Sequence, residues 1–197
     1  MEKYIKPIAI GAVIAFVIAF GMSFLFQAMH SPSTGISIYM GLFVGAFTAY
    51  ILANLAGNRK VQTADAGAQD QALAMTPPAG KALIYAYRDG FVGKAAGLNV
   101  AVDGKSVAQL TSPRFTCVAV SPGQHELTGA FGGLAGPQNK GAAVAVTAEA
   151  GGVYVYKFGV SMGALQNSIT ATPVTDLALA KAAMGRMKMT VPDAAEV

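Results

Sequence analysis

Pro7-Ile-Ala-Ile-Gly-Ala-Val-Ile-Ala-Phe-Val-Ile-Ala-Phe-Gly-Met-Ser-Phe-Leu-Phe26 is an unbroken apolar run. A second, Ile36-Ser-Ile-Tyr-Met-Gly-Leu-Phe-Val-Gly-Ala-Phe-Thr-Ala-Tyr-Ile-Leu-Ala-Asn-Leu-Ala-Gly57, follows the short uncharged Met29-His-Ser-Pro-Ser-Thr-Gly35. Neither run holds Asp, Glu, Lys or Arg. Each is about 20 residues long, enough for a helix to cross roughly 30 Å of hydrocarbon. A helix satisfies its own backbone groups in lipid, so residues 1–57 are expected to form a hairpin of two transmembrane helices. Buried helices of a large soluble domain, or a signal peptide in the first run, are weaker accounts. Lys3 and Lys6 suit a signal's basic region, but Gln27-Ala-Met-His30 is a poor small-residue cleavage site.

The flanks set an expected orientation. Lys3 and Lys6 precede the first run, Arg59 and Lys60 follow the second, and the connecting turn has no Lys or Arg. The positive-inside rule places both termini in the cytoplasm of a bacterial inner membrane. Within the runs, small residues recur every fourth position: Gly11, Ala15, Ala19 and Ser23, then Ser37, Gly41, Gly45, Ala49, Ala53 and Gly57. Residues four apart share a helix face, and such ridges let backbones approach closely in lipid. Gly11, Ala15, Ala19, Ser37, Gly41, Gly45, Ala49 and Ala53 are therefore the expected helix-packing residues. The spacing leaves open whether they meet within the hairpin, between copies or on another protein. Polar residues in the spans are few, among them Ser23, Gln27, Thr48 and Asn54, with Tyr39 and Tyr50 near the boundaries. With no ionisable group at midplane, the hairpin by itself lacks the groups that transporters and proton pumps use.

The two runs account for much of the bias toward 53% hydrophobic and 12% charged residues. The formal charge of +4 is scattered outside the membrane flanks, which gives nucleic acid no concentrated basic surface. Residues 58–80 read as a linker. Its Gln62-Thr-Ala-Asp-Ala-Gly-Ala-Gln-Asp-Gln-Ala72 is either a helical extension or disordered, and Pro77-Pro78 ends any helix there.

From residue 81 to about 172 the pattern changes to short strands punctuated by turns. Lys81–Arg88 ends at Asp89-Gly90; Leu98–Val102 and Lys105–Leu110 flank Asp103-Gly104, a two-residue hairpin signal. Arg114–Val120 closes at Ser121-Pro-Gly123, where Pro and Gly fit successive turn positions. Gln124–Phe131, Ala142–Ala148, Val153–Phe158 and a strand near 167–172 follow. Strands at this spacing predict an antiparallel β-sandwich. Residues 173–197 are expected to hold a short helix, capped by Thr172 or Thr175, with Leu177, Ala180, Met184 and Met187 on one face. That face docks on either the sandwich or the membrane.

Tyr85-Ala-Tyr-Arg88, Val100-Ala-Val-Asp-Gly-Lys105, Cys117-Val-Ala-Val-Ser-Pro-Gly-Gln-His-Glu-Leu127 and Ala148-Glu-Ala-Gly151 with Tyr154-Val-Tyr156 form an ordered series. Over residues 81–158 it resembles a bacterial β-sandwich family known only as a domain of unknown function (DUF2846-like), similar in style to PEGA domains. The resemblance implies a sandwich, often in lipoproteins or exported proteins, and supplies no catalytic residue. This chain differs in carrying a hairpin and no lipobox cysteine.

Candidate chemistry is sparse. His30, His125 and the single Cys117 are too few for a closed four-ligand zinc site. A Cys117–His125–Asp nucleophilic arrangement is conceivable, but Cys117 lies among strand apolar residues and reads as an inert thiol. Gly129-Ala-Phe-Gly-Gly-Leu-Ala-Gly136 lacks the Gly-Lys-Ser/Thr ending of a phosphate loop. It reads instead as a flexible connection, with Gly132, Gly133, Leu134, Gly136 and Pro137 as a candidate partner-contacting loop. Tyr85, Tyr87, Tyr154, Tyr156 and Phe158 are expected to pack across strands. No catalytic, metal or cofactor site is expected. The sequence reads as a non-enzymatic accessory or scaffold subunit of a bacterial membrane assembly. Its expected partners are membrane lipids and other subunits or copies of itself. The alternative is an extracytoplasmic ligand- or envelope-binding module.

Overall fold

The computed structural model of the chain describes residues 2–30, 34–163 and 166–197, in two compact units, Met1–Gly57 and Asn58–Val197. The first holds two helices, α1 (Glu2–Ala28) and α2 (Thr34–Leu55). The most apolar 18-residue stretches within Tyr4–Ala28 and Thr34–Leu55 have a mean hydropathy of 2.6 and 1.8, so both helices are long and apolar enough to cross a membrane. The middle of the expected turn, residues 31–33, lies outside the described residues. Gly11 meets Gly45 and Ala49 while Gly41 meets Ala15 and Ala19, so the two helices run antiparallel.

Among its described residues the second unit has ten strands and two α-helices. In order these are α3 (Ala66–Leu73), β1 (Ala82–Arg88), β2 (Leu98–Val102), β3 (Lys105–Leu110), β4 (Arg114–Val120), β5 (Gly123–Phe131), β6 (Asn139–Lys140), β7 (Ala142–Ala148), β8 (Val153–Ser161), β9 (Asn167–Pro173), α4 (Leu177–Met184) and β10 (Lys188–Met189). They build a four-stranded sheet, β3-β2-β5-β7, and a six-stranded sheet, β10-β4-β1-β8-β9-β6. Between β2 and β3, Asp103 and Gly104 take φ values of 52° and 75°, as a two-residue turn between twisted strands requires.

The four-stranded sheet is antiparallel throughout. The expectation of a wholly antiparallel sandwich fails in the other sheet, where β1–β8, β4–β10 and β6–β9 pair in parallel. Parallel neighbours need a long crossover, and here the crossover from β1 to β8 contains the whole four-stranded sheet. Local alternation and turn residues report strands and hairpins, but not the partner of a strand whose return path runs through another sheet.

Ala82, Ile84 and Ala86 of β1 share one core with Val100, Leu127 and Val146 of the opposite sheet, a sandwich-like arrangement. The alternate residues Leu83, Tyr85 and Tyr87 join Phe115, Val155, Ala180, Met184, Met187 and Met189 in a second core. β1 is therefore buried on both faces, and α3, α4 and the chain end form a third layer.

Residues 58–80, expected as a linker, belong to this layer. Asp65 caps α3 by accepting from the Ala68 N–H at 2.8 Å. The Gln69 amide donates to the Met187 carbonyl at 3.1 Å and accepts from the Met189 N–H at 3.1 Å. Thr63 bridges Thr190. The polar Ala/Gln composition hid this attachment because it is made by hydrogen bonds and small side chains rather than an apolar stripe. Neither Thr172 nor Thr175 caps α4: β9 extends through Pro173, and the Asp176 carboxylate accepts from the Leu179 N–H at 2.9 Å. Ala180 and Met184 dock on the six-stranded sheet, while Leu177 stays exposed.

Candidate functional site

The small-residue ridges meet each other inside the hairpin. A Cβ added at Gly45 would lie 2.5 Å from the Ala15 Cβ and 2.5 Å from the Gly11 carbonyl oxygen; one at Gly41 would lie 2.5 Å from the Ala15 carbonyl oxygen. Ser37, Gly41, Gly45 and Ala53 are buried and Ala49 half-buried, and buried Pro7 continues the face of Gly11. Within the first unit this face is filled by the partner helix. Its opposite surface carries Phe16, Phe20, Phe24, Leu42, Phe43 and Phe47, all exposed. The Thr48 hydroxyl and Asn54 amide return to carbonyls four residues back, at 2.8 and 3.0 Å, which keeps these donors within the helix.

The expected partner loop contains a short regular turn. Residues Gly133–Gln138 form a 3₁₀ turn with Pro137 inside it, and Gly132 precedes it in extended conformation. The Gln166 amide donates to the Pro137 carbonyl at 3.0 Å, and Gly136 lies close under the Phe131 carbonyl. The side chain of Leu134 is outside the described residues. The loop leads into β6 on one sheet and, past Gly141, β7 on the other, so its residues sit where the chain changes sheets.

Cys117 and His125 occupy different surroundings. Cys117 is on the six-stranded sheet beside Tyr85, and burial pushes its thiol up to about 11. Tyr85 is wholly buried, its phenol pKa also raised by burial, and its hydroxyl donates to the Ala72 carbonyl at 2.5 Å. His125, on the four-stranded sheet, spends both ring nitrogens elsewhere: Nδ1 is 2.7 Å from Asp103 Oδ2 and Nε2 is 2.7 Å from the Ser121 carbonyl oxygen. Neither acceptor carries a proton to donate, so the imidazolium satisfies both and the histidine pKa is raised, chiefly by the Asp103 hydrogen bond. That bond and the Glu126 N–H hold the Asp103 carboxyl below its usual range. The pair ties the β2–β3 turn to the β4–β5 turn. Among the described residues no group of three or more His, Cys, Asp and Glu is placed to hold a metal ion.

The aromatic set divides between layers: Tyr85 and Tyr87 face the helical layer, whereas Tyr154, Tyr156 and Phe158 pack on the core between the sheets.

Two features escaped the sequence. Arg88 is 1% exposed. Its guanidinium donates to the carbonyls of Ala96 at 2.7 Å, Val92 at 2.9 Å, Gly93 at 2.8 Å and Leu110 at 3.4 Å. It also lies 5.0 Å from the Phe131 ring centre, and burial lowers its pKa to about 10. The sequence presents it only as the end of a strand. The second is an open, largely apolar cavity of about 380 Å³ between α3, β1, β4 and the chain end, lined by Ala64, Ala68, Ala72, Leu83, Tyr85 and Cys117 among others. The four-residue spacing of Ala68 and Ala72 was a readable signal for it, because small side chains on one helix face leave room beneath them.

No family model matches the chain, and no curated protein matches it.

Proposed function

We propose that the chain is a non-enzymatic accessory or scaffold subunit of a bacterial inner-membrane assembly. In this reading the hairpin spans the bilayer and the β domain makes the protein contacts. One observation carries the reading: the hairpin turns its small residues inward and exposes large aliphatic and aromatic side chains. A surface of that kind is costly in water and matched to lipid. The small-residue faces are occupied by one another, so subunit contacts fall to the β domain and the 132–137 turn rather than to the ridge. The basic flanks favour cytoplasmic termini and a cytoplasmic β domain. In alkaline carbonate the chain should stay with the membrane, and a mild-detergent pull-down should recover partner subunits or further copies. Extraction by carbonate, or a lone monomer that co-purifies with nothing, would overturn the proposal.

The cavity beside α3 favours a second reading, an extracytoplasmic ligand- or envelope-binding module held by the same hairpin. Its size falls in the range of small-molecule sites. A reporter active only in the periplasm, fused after Val197, separates the two: activity supports the second reading and silence the first.

A further inference from the structure

The loop after β1, Asp89-Gly-Phe-Val-Gly-Lys-Ala-Ala-Gly97, carries the most exposed large apolar side chain of the described residues, Phe91 at 88%, with Val92 at 37% beside it. A single exposed apolar residue is ordinary. Here, however, the loop is fixed. The Lys94 N–H donates to the Phe91 carbonyl, the Ala96 N–H to Gly93, and the Ser112 N–H to Lys94, at 3.1, 2.9 and 3.0 Å. The buried Arg88 guanidinium grips Val92 and Gly93 from below.

The loop is also tied to the start of its own unit. The Asn58 amide donates to the Ala95 carbonyl at 2.7 Å, and its oxygen accepts from the Gly97 N–H at 2.7 Å. Asn58 follows Leu55, the last residue of α2, by three positions, a stretch that reaches at most about 11 Å. The headgroup zone on each side of a bilayer is itself about 5–7 Å deep. Lys60 and Lys94 are exposed on the same two segments.

We propose that this loop is a membrane-interface foot, with Phe91 and Val92 entering the headgroup–acyl boundary of a lipid bilayer and Lys60 and Lys94 meeting anionic headgroups. The inference rests on the hairpin spanning the membrane. Aromatic rings favour that boundary, lysines extend their charge to it, and each basic residue near an anionic surface adds attraction. A braced loop also loses little conformational entropy on insertion.

The chain has no tryptophan, so Phe91→Trp and, separately, Phe20→Trp each give the full-length protein one reporter. Both are reconstituted into vesicles of phosphatidylcholine and phosphatidylglycerol. Trp fluorescence is read with lipids brominated near the headgroup or deep in the chain, and with iodide on both faces. Phe20→Trp should be quenched by deep bromines. Phe91→Trp should be blue-shifted, quenched by shallow bromines and several-fold less sensitive to iodide than free tryptophan. If Phe20→Trp is quenched while Phe91→Trp answers only to iodide, the foot is wrong and the spanning hairpin stands. If Phe20→Trp escapes every bromolipid, the spanning reading falls and takes the foot with it.

Discussion

Replacing Arg88 with Met should be among the most damaging single changes in the β domain, although Arg88 touches no carboxylate among the described residues. The variant keeps much of the side-chain volume and removes every donor. Three carbonyls bonded at 2.7–2.9 Å, those of Ala96, Val92 and Gly93, lose their partner; the longer bond to Leu110 and the contact with the Phe131 ring go with them. A buried acceptor left unpaired costs about 1–3 kcal/mol. Val92 and Gly93 belong to an exposed loop and can turn to water, which leaves Ala96 and Leu110 as the groups that stay hidden. Removing the burden of a desolvated cation offsets part of the loss. A net destabilisation of about 3 kcal/mol is the working figure, a fall in melting temperature on the order of 10 °C for a domain of this size. Thermal unfolding of the full-length protein in mild detergent measures it, and limited trypsin digestion should show new cleavage after Lys94 as the loop loosens. Arg88→Lys should recover only part of the loss, because one ammonium cannot serve carbonyls on several sides. A Met variant that melts within a degree of the parent and leaves Lys94 protected would refute the view that this guanidinium holds the loop.

Gly45→Leu should overpack the hairpin by about 1–3 kcal/mol and lower its aggregation temperature in mild detergent. Gly21→Leu, where a Cβ meets nothing within 4 Å, should leave it unchanged; equal behaviour of the two would remove the ridge from the packing. The His125–Asp103 pair should make stability depend on pH in two directions. The raised histidine pKa contributes stability that is full below its ordinary 6.5 and is lost as pH rises through the folded value. The lowered Asp103 pKa contributes stability present above its ordinary 3.8 and lost as pH falls through the folded value. Denaturation midpoints should therefore carry a maximum between those limits, worth under about 1 kcal/mol because Asp103 is partly exposed, and His125→Gln should flatten it. With its thiol pushed up to about 11, folded Cys117 holds on the order of a hundredfold less thiolate than an ordinary cysteine at neutral pH. A soluble maleimide should label it slowly until denaturant is added, and rapid labelling of the folded protein would revive a nucleophilic role.

Much of the architecture was legible in the residues themselves. Charge-free runs of helix length identify α1 and α2, because hydrophobicity and length are properties a segment carries alone. Asp103-Gly104 marks a hairpin and Ser121-Pro-Gly123 a turn, because a turn's backbone angles select its residues, but the second turn carries the chain from one sheet to the other rather than joining paired strands. The every-fourth-residue spacing identified a packing face but not its partner: Gly11 against Gly45, and Gly41 against Ala19, are decided by how two helices meet. Tertiary structure alone paired β1 in parallel with β8, buried β1 on both faces, and drew residues 58–80 into the domain through Asp65 and Gln69. It alone turned Arg88 from the end of a strand into the clamp of an exposed loop. The physical reason is common to all of these. Length, hydropathy and turn angles act within a few residues, whereas strand order, the burial of a cation and the tether of Asn58 to Ala95 depend on segments that only the folded chain brings within hydrogen-bond reach.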